Sequence, residues 1–229
     1  TCLDANGKPT LHKDGYAKGT YKYDKRGNLT ENAYFGTDGK PILDKDNGVA
    51  RWEYAYDARG NMTAVRYYDT QGKLTLSKEG MASFRKKYDA RNNLIEEIYF
   101  NEKGVHLIAK NGCTIARWTF NERNKETSYT CLNAEEKPTL HKDGYAKATY
   151  QYDKRGNNTE KAFFGTDGKP TLHKDGFAKT TQDFHKPGST LAHVRYFNTN
   201  GQLLYDVIQD LSVVPRTRAV IGELRARHA

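Results

Sequence analysis

Gly7-Lys8-Pro9-Thr10-Leu11-His12-Lys13-Asp14-Gly15 is a phrase that this chain writes more than once. It returns unchanged at Gly168 to Gly176, and with Glu136 for the first glycine at Glu136 to Gly144. Working outward, the opening positions Gly7, Gly39, Gly72, Gly104, Glu136, Gly168 and Gly201 stand about 32 residues apart, a period that marks a repeat array and not a globule built once. A unit this short cannot bury a face alone, so neighbouring units must bury each other.

The turns are legible next. One series runs Gly27, Gly60, Asn92, Asn124, Gly156, Gly188, and where glycine is lost only asparagine replaces it. Those residues best tolerate a left-handed backbone. Three residues earlier stand Asp24, Asp57, Asp89, Asn121, Asp153 and His185. Asp or Asn opening a turn that Gly or Asn closes predicts a type I turn with a left-handed fourth residue, a common hairpin loop. A second, similar turn spans Asp4 to Gly7, Asp69 to Gly72, Asn101 to Gly104 and Asn198 to Gly201. A third glycine turn ends each Lys-x-Gly.

Between turns lie short runs rich in aromatic and β-branched residues, which favour strands. Ala50, Trp52, Tyr54 and Tyr56 share one face and Arg51, Glu53 and Ala55 the other; the same phase recurs in Ala146, Ala148, Tyr150, Tyr152 and in Thr114, Ala116, Trp118, Phe120. A second run ends in paired aromatics such as Tyr34-Phe35, Tyr67-Tyr68 and Phe163-Phe164. These aromatic rows are expected to form the core, joined by the recurrent Leu11, Leu43, Leu76, Ile108, Leu140 and Leu172. Three antiparallel strands per unit would reverse each successive copy, so two long strands per unit are expected, with the Leu-x-Lys-x-Gly segment as a short strand or crossover. The expected fold is all-β: an elongated array or spiral of antiparallel β-hairpins over residues 1–209, in units 16–48, 49–80, 81–112, 113–144, 145–176 and 177–209. Residues 210–229 break the period and read as a cap or tail, with a short capping helix over Thr217 to His228 as one form.

Composition agrees with a thin array. The chain of 229 residues is 36% hydrophobic and 12% aromatic with 16 tyrosines. Its mean hydropathy is −0.91. That is too polar for a thick core and too aromatic for disorder. No run is apolar enough for a membrane-spanning helix, and no signal peptide is present. Thr1 falls inside a repeat, which implies that the natural protein continues upstream. Cys2, Cys113 and Cys131 form no C-x-x-C pair; they read as unpaired, core-facing or neutral thiols, with Cys2 and Cys131 at equivalent positions.

The candidate chemistry is mostly serial. His12, His141 and His173 share a position with Asp44, Ser77 and Ala109, one per repeat, and read as exposed turn residues and not as metal ligands. Asp44, Asp46 and Asn47 lack the closing Glu of a calcium loop. No nucleotide-binding, nucleophile-elbow or zinc-protease motif occurs. Catalysis needs residues placed once, and only His185 and His193 stand outside the repetition, so no enzyme, cofactor or metal is expected. Two basic rows are stronger. Lys13, Lys45, Lys78, Lys110, Lys142 and Lys174 occupy one position, and Arg26, Arg59, Arg91, Arg123 and Arg155 the hairpin tip. With a net charge of +9 they predict positive stripes that could meet another protein, an anionic polysaccharide or an anionic membrane surface. The same charges also protect exposed hairpin edges. Nucleic acid is the less favoured partner, because the aromatics are committed inward. End-to-end self-association through open edges is a further expectation.

The phrase Tyr-x-Tyr-Asp-x-x-Gly-Asn, at Tyr21 to Asn28, Tyr54 to Asn61 and Tyr150 to Asn157, resembles the signature of the YD (RHS) repeats of bacterial surface and toxin proteins. Degenerate forms at Tyr88 to Asn93 and Phe120 to Asn124 extend it, so the resemblance spans about residues 1–205. It implies β-hairpins wound into a long sheet that encapsulates, adheres or contacts carbohydrate, in an extracellular or cell-envelope setting. The unit here is longer, with the Leu-x-Lys-Asp-Gly-Tyr-Ala block added. The stacked hairpins are also similar to MORN repeats, which implies a scaffold or a lipid or protein contact surface.

Overall fold

A computed structural model describes residues 1–184, 190–210 and 212; the expected C-terminal cap lies outside them. Every regular element among the described residues is a strand. The chain divides into two compact units, Thr1–Ala109 and Lys110–Ala229. The first holds β1 (Lys18–Tyr23), β2 (Leu29–Phe35), β3 (Arg51–Tyr56), β4 (Met62–Tyr68), β5 (Ser83–Tyr88) and β6 (Leu94–Phe100), each antiparallel to the next. The second holds β7 (Ile115–Phe120), β8 (Glu126–Leu132), β9 (Lys147–Tyr152), β10 (Asn158–Phe164), β11 (Lys179–Phe184), β12 (Leu191–Phe197) and β13 (Leu203–Asp210), again antiparallel in sequence order. Each repeat thus contributes two strands. The expected third segment makes a single bridge, as in Phe35 with Pro41, Tyr68 with Leu74 and Phe164 with Pro170, and then crosses over. After β12 it pairs along its length instead, as β13.

The tips form as the turn residues dictate. In the first, Gly27 N–H donates to the Asp24 carbonyl at 3.1 Å and Asp24 N–H to the Asn28 carbonyl at 2.9 Å. The Asp24 carboxylate accepts from Arg26 N–H, Asn28 N–H and the Asn28 side-chain amide at 2.8–2.9 Å. Asp57, Asp89 and Asp153 repeat this. At Asp57 the bonds, that of Asn61 foremost, hold the carboxyl down to about 2. Asn92 and Asn124 take φ of 67° and 56°, so the Gly-to-Asn rule read from the sequence describes the backbone. A register shift beside the tips at Asp24, Asp57, Asp89, Asn121 and Asp153, between Lys22 and Tyr23 in the first, is the bulge that such a loop carries.

The crossover turn shows what Asp and His do at the position they share. Gly15 N–H and Gly80 N–H donate three residues back, to the carbonyls of His12 and Ser77. The copy beginning at Asp44 has one residue more, and Gly48 N–H reaches four back to Asp44. The Asp44 carboxylate wraps this longer turn, accepting from Asp46, Asn47 and Val49 N–H at 3.1–3.4 Å. In the histidine copies Nδ1 accepts from the N–H of Asp14, Asp143 and Asp175 at 3.1–3.3 Å. The side chain is thus a turn acceptor in the Asp and His copies only: the Ser77 hydroxyl is buried without a hydrogen bond, and Ala109 has no acceptor to offer.

Three of the crossovers lay an aromatic back over the inward sheet face, and Val49, Met81 and Cys113 hold the equivalent place in the others. Tyr16 stacks on Tyr34 with centroids 4.4 Å apart, Tyr145 meets Phe163 at 4.9 Å, and Phe177 meets Tyr196 at 5.0 Å. In the first unit Val49, Trp52 and Val65 are buried beneath Tyr34, Tyr54, Tyr67 and Phe84. In the second, Tyr129, Tyr145, Ala148, Phe163, Phe177, Val194 and Tyr196 form the buried cluster. Ala17, Ala50, Ala82, Thr114, Ala146 and Ala178, one per repeat, are almost wholly buried at the crossover's end. The second residue of an aromatic pair turns to the opposite face, and in four pairs it lies under a cation: Lys18 over Phe35 at 5.9 Å, Arg51 over Tyr68 at 3.8 Å, Arg85 over Phe100 at 4.4 Å, Lys179 over Phe197 at 5.0 Å.

Three expectations need correction. The leucine row is not core: Leu11, Leu43, Leu76, Ile108, Leu140 and Leu172 are 44–74% exposed. They sit just before the crossover turn, on its rim, and the residue five later, or six in the longer copy, takes the inward place, as Tyr16, Val49, Tyr145 and Phe177 do. The histidines at 141 and 173 are not exposed turn rings. His141 stacks on Tyr145 at 5.0 Å and His173 lies 4.8 Å from the Phe163 ring. Finally, Cys113 and Cys131 are not free thiols but a disulfide. They occupy the places that hold Tyr16 and Tyr34 in the first repeat and Tyr145 and Phe163 in the next, so a covalent pair stands in for an aromatic one. Cys2 is unpaired.

Candidate functional site

The lysine row is set by the crossover turns. Lys45 N–H donates to the Asp14 carbonyl, Lys78 N–H to Asn47, Lys142 N–H to Asn111 and Lys174 N–H to Asp143, at 2.7–3.1 Å. This main-chain bond stacks each turn on the one before within a unit. The six side chains of the row are exposed. Several are also engaged: Lys45 Nζ lies 3.4 Å from the Lys13 carbonyl, Lys78 Nζ bonds the Lys45 carbonyl, and Lys174 Nζ pairs with Asp143. The Lys45 stem lies against Gly15, where a Cβ would come within 2.8 Å of it.

The arginine row does the same at the tips. Arg26 Nη1 donates to the Asp57 carbonyl at 3.2 Å, Arg59 to the Asp89 carbonyl and Arg123 to the Lys154 carbonyl. All five arginines of the row are exposed. The expected stripes therefore exist as registered rows, but their first use is to hold neighbouring turns together. Positive charge remains at the surface because backbone carbonyls, and not carboxylates, take most of these bonds.

Sequence reasoning missed a polar inclusion in the second unit. Lys161 is half-buried on the inward face, its Nζ 4.9 Å from the Phe163 ring and 5.5 Å from that of Tyr150. Burial pushes its pKa down, opposed by Glu126, Asp143 and Asp175. Burial pushes Glu126 up in turn. The signal was present, since position 161 holds Asn32, Val65, Glu97, Tyr129 and Val194 in other copies. No rule of period or propensity singles out a lysine there. On the opposite face of the first unit Lys22, Glu31, Arg51 and Glu53 form a chain of ion pairs that ends at the Tyr68 hydroxyl. Among the described residues no group of three or more His, Cys, Asp or Glu side chains is placed to hold a metal ion.

The half-buried histidines give the second unit a pH dependence. Burial, helped by Lys142, Lys174 and Lys161, lowers the pKa of His141, and burial lowers that of His173; Asp143 and Asp175 oppose. Nδ1 accepts a turn N–H, so protonation there turns an acceptor into a donor facing a donor. The unfolded state then binds more protons than the folded one as pH falls through the ordinary histidine value. Stability held above about pH 6.5 is lost below it. Urea midpoints at pH 7.5 and 5.5 should differ, and the difference should shrink in H141N/H173N, whose amides keep an acceptor that does not titrate. An unchanged difference would contradict this.

Comparison with known proteins adds little. No family model matches the chain, and no curated protein does. Among solved structures, the crystal structure of TcdB2-TccC3 is matched over 85% of this chain and 12% of that chain, at 12% identity and a TM-score of 0.34. The crystal structure of TcdB2-TccC3-TEV is matched over 83% and 12%, at 11% identity and a TM-score of 0.36. A structure of the Photorhabdus luminescens Tc holotoxin pore is matched over 84% and 11%, at 12% identity and a TM-score of 0.33. This chain spans 11–12% of the length of those three.

Proposed function

We propose that this chain is a non-catalytic repeat module that binds or scaffolds within a larger bacterial protein, with the lysine and arginine rows as its contact surface. The observation that carries this reading is the repetition itself. The exposed polar side chains recur once per hairpin and form registered rows, a surface suited to an extended partner and not to one reacting atom. The rows carry cations along lines that an acidic protein, an anionic polysaccharide or an anionic membrane surface complements.

The test is a binding panel of anionic liposomes, acidic polysaccharide, neutral glycan and single-stranded DNA at low and moderate salt. K13Q/K45Q/K142Q removes three charges from the row, and among the described residues the side-chain bond it gives up is the long one from Lys45 Nζ to the Lys13 carbonyl at 3.4 Å. Salt-sensitive binding that weakens about tenfold or more in the variant is expected. Equal binding by both proteins, or none by either, would remove the lysine row as a working surface.

A second reading, a surface or secreted YD-type module that contacts glycan or encloses a toxin, is favoured by the Cys113–Cys131 disulfide. Such bonds persist in oxidising compartments and are rare in the cytosol.

A further inference from the structure

Repetition makes departures visible, and the tip at Asn121 to Lys125 is one. The tips at Asp24, Asp57, Asp89 and Asp153 all open with Asp and close with Asn, and the closing amide bonds the opening carboxylate at 2.8–2.9 Å. Here Asn121 replaces the Asp and Lys125 the Asn. Asn121 still accepts from Arg123 N–H at 2.9 Å and Lys125 N–H at 3.1 Å, so the turn survives. The opening carboxylate is gone, and the Lys125 side chain lies toward the neighbouring tip. A Cβ on Gly156 would lie 3.4 Å from Lys125 Cε and 4.0 Å from its Nζ.

Between the two tips lies an open cleft of about 370 Å³ lined by Arg123, Lys125, Lys154, Tyr152 and, on the acidic side, Glu122 and Asp153. Asp153 is occupied, accepting from Arg155 N–H, Asn157 N–H and the Asn157 amide at 2.9 Å. Arg123 spends Nη1 on the Lys154 carbonyl, which fixes the guanidinium in the cleft with further N–H groups to offer. The Tyr152 hydroxyl donates to the Glu126 carbonyl at 2.8 Å and so holds its ring as a wall. Restoring the usual Asp and Asn would turn the lining from net positive to net negative.

We propose that the cleft between the tips at Asn121 and Asp153 binds an oxyanion, a phosphate or sulfate ester group, held by Arg123, Lys125 and Lys154. This goes beyond the row reading, since Lys125 and Lys154 belong to neither row and the site occurs once in the described chain. Glu122 at the rim disfavours a continuous phosphate backbone and favours a small ester whose neutral hydroxyls donate to that carboxylate.

Calorimetric titration of the full chain with inorganic phosphate, inorganic sulfate, a sugar monophosphate and a sulfated disaccharide tests it. One saturable site is expected, weakened about tenfold or more in N121D/K125N and unchanged in K13Q/K45Q/K142Q. N121D/K125N restores the motif of the other tips, so it should fold, and an unchanged melting curve checks this. Preference between the two esters identifies the source of the oxyanion. No saturable binding of any probe, or equal affinity in N121D/K125N, overturns the proposal.

Discussion

Alanine at position 163 is expected to destabilise the second unit by about 3–5 kcal/mol, the range for removing a fully buried phenylalanine. Phe163 is 1% exposed and heads the fully buried side chains by volume. Its ring meets Tyr145, His173 and Phe177 at 4.8–5.8 Å, and Lys161 lies over it. Truncation opens a void in a core one layer thick, where the crossover rings above and the strands below leave few neighbours to close it. It also takes an aromatic face from a half-buried ammonium. Phe164→Ala, on the opposite face, serves as the comparison and should cost clearly less. Urea unfolding of both variants decides the matter, and equal midpoints would show that the inward ring row is not the core.

Removing the disulfide is the second large effect. C113A/C131A is expected to lose about 3 kcal/mol, the loop-closure contribution of a bond across 18 residues. The geometry adds a sharper expectation. Since the two cysteines stand where other repeats place an aromatic pair, C113Y/C131F should recover part of the loss by rebuilding the contact of Tyr145 with Phe163. Thermal melts with and without reductant separate the cases. Reductant should lower the transition of the natural chain and leave both variants unmoved. A natural chain indifferent to reductant would mean that the bond contributes nothing.

Much of the fold was legible, for local reasons. Asp24, Gly27 and Asn28 need no tertiary context to specify a tip, and alternation through Trp52 and Tyr54 assigns a face by the pleat alone. What escaped depended on contacts across repeats. Leu43 and Trp52 are equally apolar in the sequence, yet one sits on the rim of a turn and the other under the next crossover. Cys113 and Cys131 look unrelated by spacing motif, and only alignment with Tyr16 and Tyr34 reveals them as facing positions. His141 reads as a surface turn residue until Tyr145 is seen to fold beside it. The candidate surfaces divide in the same way. The register of the lysine and arginine rows follows from counting, whereas their use as staples rests on a carbonyl one repeat away. Lys125 was countable as a departure from Asn, but its reach toward Gly156 was not.

The longer turn at Asp44 to Gly48 bears on how such a chain changes over generations. Its additional residue sits wholly in the crossover, and the strands on either side keep their length and their faces. An insertion within a strand would instead swap inward rings for outward charges through the rest of that hairpin. Identical phrases such as Gly7–Gly15 and Gly168–Gly176 also offer matching ends for recombination. A crossover joining them deletes or duplicates complete hairpins without disturbing the phase of those that remain. Copy number is therefore the variable this architecture leaves open to inheritance, and strand length the one it keeps closed.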